Sequence, residues 1–163
     1  MGQRAEARAV ADDELLIERT FDAPAALVFR IWEKPEHMQR WWGPRDFTCT
    51  SLSLDFRPGG KWRACIHADA YGESWMSGVF REIERDRRIV FSFKWEDGNE
   101  QPGLDTLVTV EFQELNGRTV QSFHQTPFVS VEIRDSHVSG WNECIDREAA
   151  YAEAMARNKG EGA

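Results

Sequence analysis

The sequence has too few cysteines for a disulfide framework or a cysteine-based zinc site. Its 163 residues include three, Cys49, Cys65 and Cys144, which are far apart and odd in number. No two of them have the spacing of a zinc-binding or redox motif. We therefore interpret them as reduced thiols of a cytoplasmic protein.

Positive charge and long apolar runs are also scarce. Lys and Arg number 20 against 28 Asp and Glu, so the net charge is −8. Phosphate binding needs clustered positive charge, and the sequence therefore predicts no nucleic-acid partner. No apolar run approaches the ~18 residues of a membrane span. The first eight residues lack the apolar stretch of a signal peptide, so we expect a cytoplasmic protein without membrane insertion.

Proline and glycine are few, at six and twelve, while hydrophobic residues make up 41% of the chain. This composition favours a folded protein over a disordered one. The length suits one domain, since domains commonly have roughly 100–200 residues. We predict a single domain over residues 14–158, with flexible ends at residues 1–13 and 159–163.

Aromatic residues, by contrast, are abundant. The chain has ten Phe, seven Trp and two Tyr. Each buries a large area, and a core of this size does not need seven Trp side chains to be stable. The aromatic side chains therefore either overfill a core or line a binding site.

Hydrophobic periodicity predicts a strand, two short helices, six strands and a long helix, in that order. The first strand covers Glu14–Phe21, one helix follows Pro24, and the second covers Glu36–Trp41. The other predicted strands are Thr48–Phe56, Lys61–His67, Glu73–Ile83, Arg88–Trp95, Thr106–Glu114 and Thr119–Thr126. Short connections, the longest of them over residues 97–103, force these strands into an antiparallel meander.

The last segment, Val131–Arg157, has the apolar stripe of a long helix. The stripe consists of Val138, Trp141, Ile145, Ala149 and Ala152. A helix of ~27 residues is ~40 Å long, enough to cross a sheet. We therefore predict an α+β fold, in which a curved antiparallel sheet wraps around this helix and leaves a cavity between them. Gly140 is unfavourable inside a helix by roughly 1 kcal/mol, which indicates close approach of a neighbouring strand, the commoner explanation, or of a ligand.

Several short motifs resemble those of one known family. The segment RWWGPRDF at Arg40–Phe47 is similar to the signature that follows the second helix in homologues of the activator of heat-shock-protein-90 ATPase. Further matches, in order between Leu15 and Tyr151, are FDAP at 21–24, RPGG at 57–60, GVFREI at 78–83 and GW at 140–141. The resemblance implies the helix-grip fold of the START-like (SRPBCC) superfamily, whose members are ligand-binding domains.

We predict a ligand-binding wall on the concave face of the sheet. Its members share inward positions on consecutive strands, on the second helix or on the final helix: Trp42, Trp62, Ile66, Phe80, Phe91, Phe93, Trp95, Gln121, Phe123, Gln125 and Trp141. The same set is compatible with a solid core. Trp41 and Trp42 point about 100° apart on a helix. Either both hold the helix to the sheet, or one of them reaches the mouth of the cavity.

Two glutamines distinguish this sequence from the family pattern, which has aliphatic residues on the last strand. Gln121 and Gln125 alternate with His124, so His124 is predicted to face outward if the glutamines face inward. Inward amides need water, a neighbouring side chain or a polar ligand group as partners. We therefore expect a cavity that is more polar than in other family members.

Metal and catalytic motifs are weak. Cys65 and His67 share a strand face, but two ligands are too few for a zinc site. Asp135, Ser136 and His137 are adjacent on a helix and point in different directions, so they do not form a catalytic triad. We expect neither a metal ion nor another cofactor.

The leading functional hypothesis is binding of a small, largely apolar molecule between the sheet and the final helix. The alternative, implied by the family resemblance, is an enzyme of the cyclase or aldolase type that uses the same cavity. It would need an inward acid or base, for which only Gln121, Gln125 and Glu82 are available. A co-chaperone ranks last, because the chain has no room for a second, chaperone-binding domain. The sequence is compatible with a homodimer.

Overall fold

A computed structural model describes the backbone of residues 6–8, 11–96 and 105–162 and the side chains of residues 11–96 and 105–158. The predicted loop over residues 97–103 lies outside these ranges, as do residues 1–5, 9, 10 and 163 of the predicted flexible ends. The elements in chain order are β1 (Glu6–Arg8), β2 (Leu15–Phe21), α1 (Ala25–Glu33), α2 (Pro35–Met38), β3 (Thr48–Leu54), β4 (Lys61–Ala68), β5 (Gly72–Glu84), β6 (Arg88–Trp95), β7 (Thr106–Leu115), β8 (Arg118–Thr126) and α3 (Val131–Gly162).

The described strands form one antiparallel sheet in the order β1-β2-β8-β7-β6-β5-β4-β3. Strands β3 to β8 are a meander, as predicted. Strand β2 joins the sheet beside β8, where Ile17 lies opposite Phe123. The short strand β1, which pairs with β2, was not predicted.

Prolines mark the start of both short helices and the end of the first. Helix α1 follows Pro24, whose backbone is already extended at φ −73° and ψ 156°. It ends at Glu33, because Pro35 disfavours helical backbone at the residue before it. Pro35 then begins α2. This helix ends at Met38, three residues before the predicted end at Trp41. The amides of Trp41 and Trp42 still bond to the Met38 carbonyl, at 3.1 and 3.0 Å, so the turn continues.

Helix α3 lies across the concave face of the sheet. The Ser130 hydroxyl caps its start by accepting the Ile133 amide at 3.2 Å. Further along, Trp141 bonds to Gln125 on β8 and His137 to Trp95 on β6. The prediction of an α+β fold with a curved sheet around a long final helix is therefore confirmed. Among the described helices, none is both long and apolar enough to cross a membrane.

A bulge in β5 explains an irregular pattern around Phe80. Phe80 does not share a phase with Val79, Arg81 and Ile83 in the sequence. The pairing of β5 with β6 shifts register between Phe80 and Glu82. Phe80 keeps the register of Met76 and points inward, where it is 3% exposed, and the shift after it lets Ile83 pack against the same core.

Tryptophans occupy the centre of the core. The Trp32 ring on α1 lies 4.9 Å from Trp41, 6.1 Å from Trp42 and 6.0 Å from Phe91, measured between ring centroids. Trp41 and Trp42 are both buried. Both therefore hold the segment after α2 to the sheet, and part of the tryptophan excess is core packing.

Candidate functional site

A cavity of about 410 Å³ lies between α3 and strands β4 to β6. This volume is within the range of about 300–1,000 Å³ that is typical of small-molecule sites. One wall is the surface of α3, where five lining residues follow each other at helical spacing: Ser136, His137, Gly140, Trp141 and Cys144. This face is continuous with the apolar stripe predicted from the sequence.

The opposite wall belongs to the sheet. Ile66 on β4 lies opposite Ser74 on β5, and Met76 on β5 lies opposite Trp95 on β6. With Phe93, these side chains form a mainly apolar surface that faces α3. Cross-strand neighbours share one face of a sheet, which is why they meet in the cavity.

The segment after α2 and the turn between β4 and β5 form the mouth. Trp42, Gly43, Pro44 and Phe47 line it on one side and Tyr71 on the other. The Phe47 and Tyr71 rings stack at 5.8 Å with an angle of 8° between their planes. Tyr71 is 77% exposed, so an aromatic surface continues from the cavity to solvent.

Arg147 on α3 holds this segment in place. Its guanidinium donates to the carbonyl oxygens of Gly43 at 2.8 Å, Pro44 at 3.1 Å and Phe47 at 3.1 Å. Gly43 has a φ of +111°, a conformation that strains other residues. Arginine and glycine together fix the turn that positions Phe47.

His137 and Trp95 bond to each other across the cavity wall. The Trp95 indole N–H donates to His137 Nε2 at 3.1 Å. Because an indole nitrogen only donates, Nε2 must be the unprotonated ring nitrogen. The other nitrogen, Nδ1, lies 2.9 Å from the Ile133 carbonyl and carries the proton. His137 is therefore a neutral ring with both nitrogens in use.

The remaining N–H and S–H groups of the wall also have protein partners. Trp42 donates to the Met76 sulfur at 3.3 Å, and Cys144 donates to the Trp41 carbonyl at 3.6 Å. Burial raises the pKa of Cys144 to about 12. Its side chain is therefore a neutral thiol and a poor nucleophile.

Five of the eleven predicted ligand-binding residues line the cavity: Trp42, Ile66, Phe93, Trp95 and Trp141. The other six do not line it and are buried in the core beside it: Trp62, Phe80, Phe91, Gln121, Phe123 and Gln125. Trp62, for example, lies over Gly78 and donates to the Ser92 carbonyl at 3.0 Å. A side chain at position 78 would overlap with this arrangement.

The two inward glutamines are bonded within the protein, so the expectation of a polar cavity is wrong. Gln125 accepts the Trp141 indole N–H at 2.7 Å and donates to the Thr106 hydroxyl at 2.8 Å. Gln121 accepts from Trp32 at 3.2 Å. His124 lies on the opposite face of β8, as predicted, 2.6 Å from Glu14.

A buried carboxyl group, Glu148 on α3, was missed by the sequence analysis. Its oxygens accept the Gln121 amide at 3.0 Å and the Trp32 indole at 2.9 Å, and it is 0% exposed. Burial raises its pKa to about 8, although these two hydrogen bonds act in the opposite direction. Glu82, the acid that the sequence offered, is instead exposed and lies 3.5 Å from Arg88.

Gly140 lies at the cavity and has no close strand neighbour. A side-chain carbon at this position would meet only Pro44, at an ordinary contact distance of 3.7 Å. The predicted close approach of a strand to Gly140 is therefore absent among the described residues. A larger side chain at position 140 would project into the space between α3 and the mouth.

The family model for activator of Hsp90 ATPase homolog 1-like proteins matches residues 22–153, which is most of the chain. The chain belongs to this family. No curated protein matches it. Among the described residues, no group of three or more His, Cys, Asp or Glu side chains could hold a metal ion.

Solved structures show the same fold. Protein CV1439 from Chromobacterium violaceum has a TM-score of 0.80 and 23% identity, over 88% of this chain and 99% of its own. A protein from Arthrobacter aurescens has a TM-score of 0.78 and 24% identity, over 93% of each chain. An AHSA1 protein from Silicibacter pomeroyi has a TM-score of 0.73 and 21% identity, over 84% of this chain and 95% of its own.

Proposed function

We propose that this protein binds a small, largely apolar molecule in the cavity between α3 and strands β4 to β6. The observation that carries the proposal is an aromatic cavity of about 410 Å³ beside a core that is otherwise filled with tryptophan and phenylalanine. Apolar pockets with a few polar groups are the usual form of a small-molecule site.

The histidine and the cysteine that line the cavity support binding over catalysis. Both His137 nitrogens are bonded, to Trp95 and to the Ile133 carbonyl. The thiol of Cys144 is neutral because its pKa is raised to about 12. A general acid or base must reach the proton that it transfers, and neither group is free to do so in this arrangement.

The proposal is tested by filling the cavity. The uncharged dye N-phenyl-1-naphthylamine is titrated into the protein and its fluorescence is recorded. We expect saturable binding of one dye per chain. Replacing Gly140 with leucine places an apolar side chain in the cavity and should weaken binding at least ten-fold.

Ser139→Leu is the matched control, because Ser139 is the exposed neighbour of Gly140 and does not line the cavity. It adds the same side chain to the same helix and should leave binding unchanged. Thermal unfolding of both variants verifies that they fold. Absence of saturable binding to the unsubstituted protein, or equal binding by two folded variants, would contradict the proposal.

A further inference from the structure

The cavity has no charged side chain with which an ionic ligand could pair. Among the described residues that line it, none is Asp, Glu, Lys or Arg. The nearby cation Arg147 directs its N–H groups to the carbonyls of Gly43, Pro44 and Phe47. A charge that is buried without a partner is strongly unfavourable. Aromatic faces attract a cation, but this attraction is smaller than the free energy that its desolvation costs, so this wall disfavours anions and cations alike.

The strong hydrogen-bond donors of the wall are also committed to the protein. The indole N–H groups of Trp42, Trp95 and Trp141 bond to Met76, His137 and Gln125. A ligand group placed against these rings therefore meets their faces and edges, where aromatic contacts are favourable. The deep part of the cavity thus suits an aromatic ring system without polar substituents.

Besides the phenol of Tyr71 at the mouth, the lining has two serine hydroxyl groups. Ser74 on β5 is half-buried and Ser136 on α3 is exposed, so they occupy the outer part of the two walls. Neither hydroxyl has a hydrogen-bond partner among the described residues. A hydroxyl group can donate to a carbonyl or accept from another hydroxyl.

We infer that the ligand is an uncharged aromatic molecule with one hydroxyl or carbonyl group, whose rings lie against Trp95 and Trp141 and whose polar group faces Ser74 and Ser136. This inference rests on the proposed function, because it names the chemical class that the same cavity takes. The class follows from the uncharged aromatic lining with committed indole donors, and the orientation follows from the two serine hydroxyls that have no partner among the described residues.

Four naphthalenes with a single substituent at position 2 test the class. Calorimetric titration at pH 7 compares 2-naphthol, 2-methylnaphthalene, 2-naphthoate and 2-naphthylmethylammonium. We expect 2-naphthol to bind at least ten-fold more tightly than either ion. Equal or tighter binding of an ion would overturn the inference while leaving the proposed function in place. Absence of binding by all four would contradict the proposed function itself.

Alanine variants test the orientation. Replacing both Ser74 and Ser136 with alanine should weaken 2-naphthol about three- to ten-fold, the effect of losing one or two neutral hydrogen bonds. The same variant should bind 2-methylnaphthalene within two-fold of the unsubstituted protein. Ser139→Ala, on the exposed side of α3, is the control and should change neither affinity. A double variant that binds 2-naphthol as tightly as before would show that the polar group lies elsewhere.

Discussion

Replacing Glu148 with glutamine should remove a large pH dependence from the stability of the folded protein. Glu148 is 0% exposed and its pKa is raised from 4.5 to about 8 by burial. Glutamine has nearly the same shape but no ionisable group. It can keep hydrogen bonds to Trp32 and Gln121 if the Gln121 amide turns over, at the expense of the bond that Gln121 accepts from Trp32.

The sign and size of the effect follow from the two pKa values. Below pH 4.5 the carboxyl group holds its proton in both the folded and the unfolded chain. Between pH 4.5 and 8 only the unfolded chain releases it, so the free energy of unfolding decreases as the pH rises. At 1.36 kcal/mol per pKa unit, the decrease is about 3 kcal/mol between pH 6 and pH 9.

Urea denaturation of both proteins from pH 6 to pH 9 measures this contribution. We expect the stability of Glu148→Gln relative to the unsubstituted protein to rise by about 3 kcal/mol across the range. Glu132→Gln removes an exposed carboxyl group from the same helix and should show no such rise. A stability difference between Glu148→Gln and the unsubstituted protein that stays constant from pH 6 to pH 9 would refute the reasoning.

Three further substitutions have definite expected effects. Gly78→Ala would bring a methyl group into the Ser92 carbonyl, so it should destabilise the protein by at least ~3 kcal/mol in urea denaturation; an unchanged midpoint would contradict this. Arg147→Met removes three short bonds to the mouth segment and should weaken dye binding several-fold, whereas unchanged affinity would show that the segment holds itself. Gln121→Leu leaves a Glu148 oxygen without its partner and should destabilise the protein by about 1–3 kcal/mol with unchanged dye affinity, since Gln121 does not line the cavity; a gain in stability would argue against this bond.

Most of the fold could be predicted because most of the strands have a clear period of two. The alternation in Arg88–Trp95 predicts both ends of β6 correctly. The turn residues and short connections between strands predict the antiparallel meander. Strand β1 has only three residues, Glu6–Arg8, which is too short for any periodic signal. Pairing with β2, rather than local preference, accounts for that strand.

The site could be predicted only in part, because alternation shows which face a side chain occupies and not what lies above it. Trp62 and Ile66 share the inner face of β4, yet only Ile66 meets the cavity. The difference depends on where α3 crosses the sheet and on the partner that each indole finds. These are tertiary contacts that no spacing in the sequence expresses.

The buried carboxyl group could have been found from the helix pattern. Glu148 lies three residues after Ile145 and four before Ala152, so it belongs to the apolar stripe of α3. An acid in such a stripe needs a partner, and Gln121 is the inward polar residue opposite it. Gln121 and Glu148 are therefore partners: each satisfies a polar group of the other inside the core.

The most direct test of ligand binding in the cavity is a crystal structure of the protein with 2-naphthol. We expect the naphthalene rings to lie between α3 and β6, against Trp95 and Trp141, and the hydroxyl group to point toward Ser74 and Ser136. An empty cavity at a saturating concentration of 2-naphthol, or a molecule bound only elsewhere on the protein, would contradict this expectation.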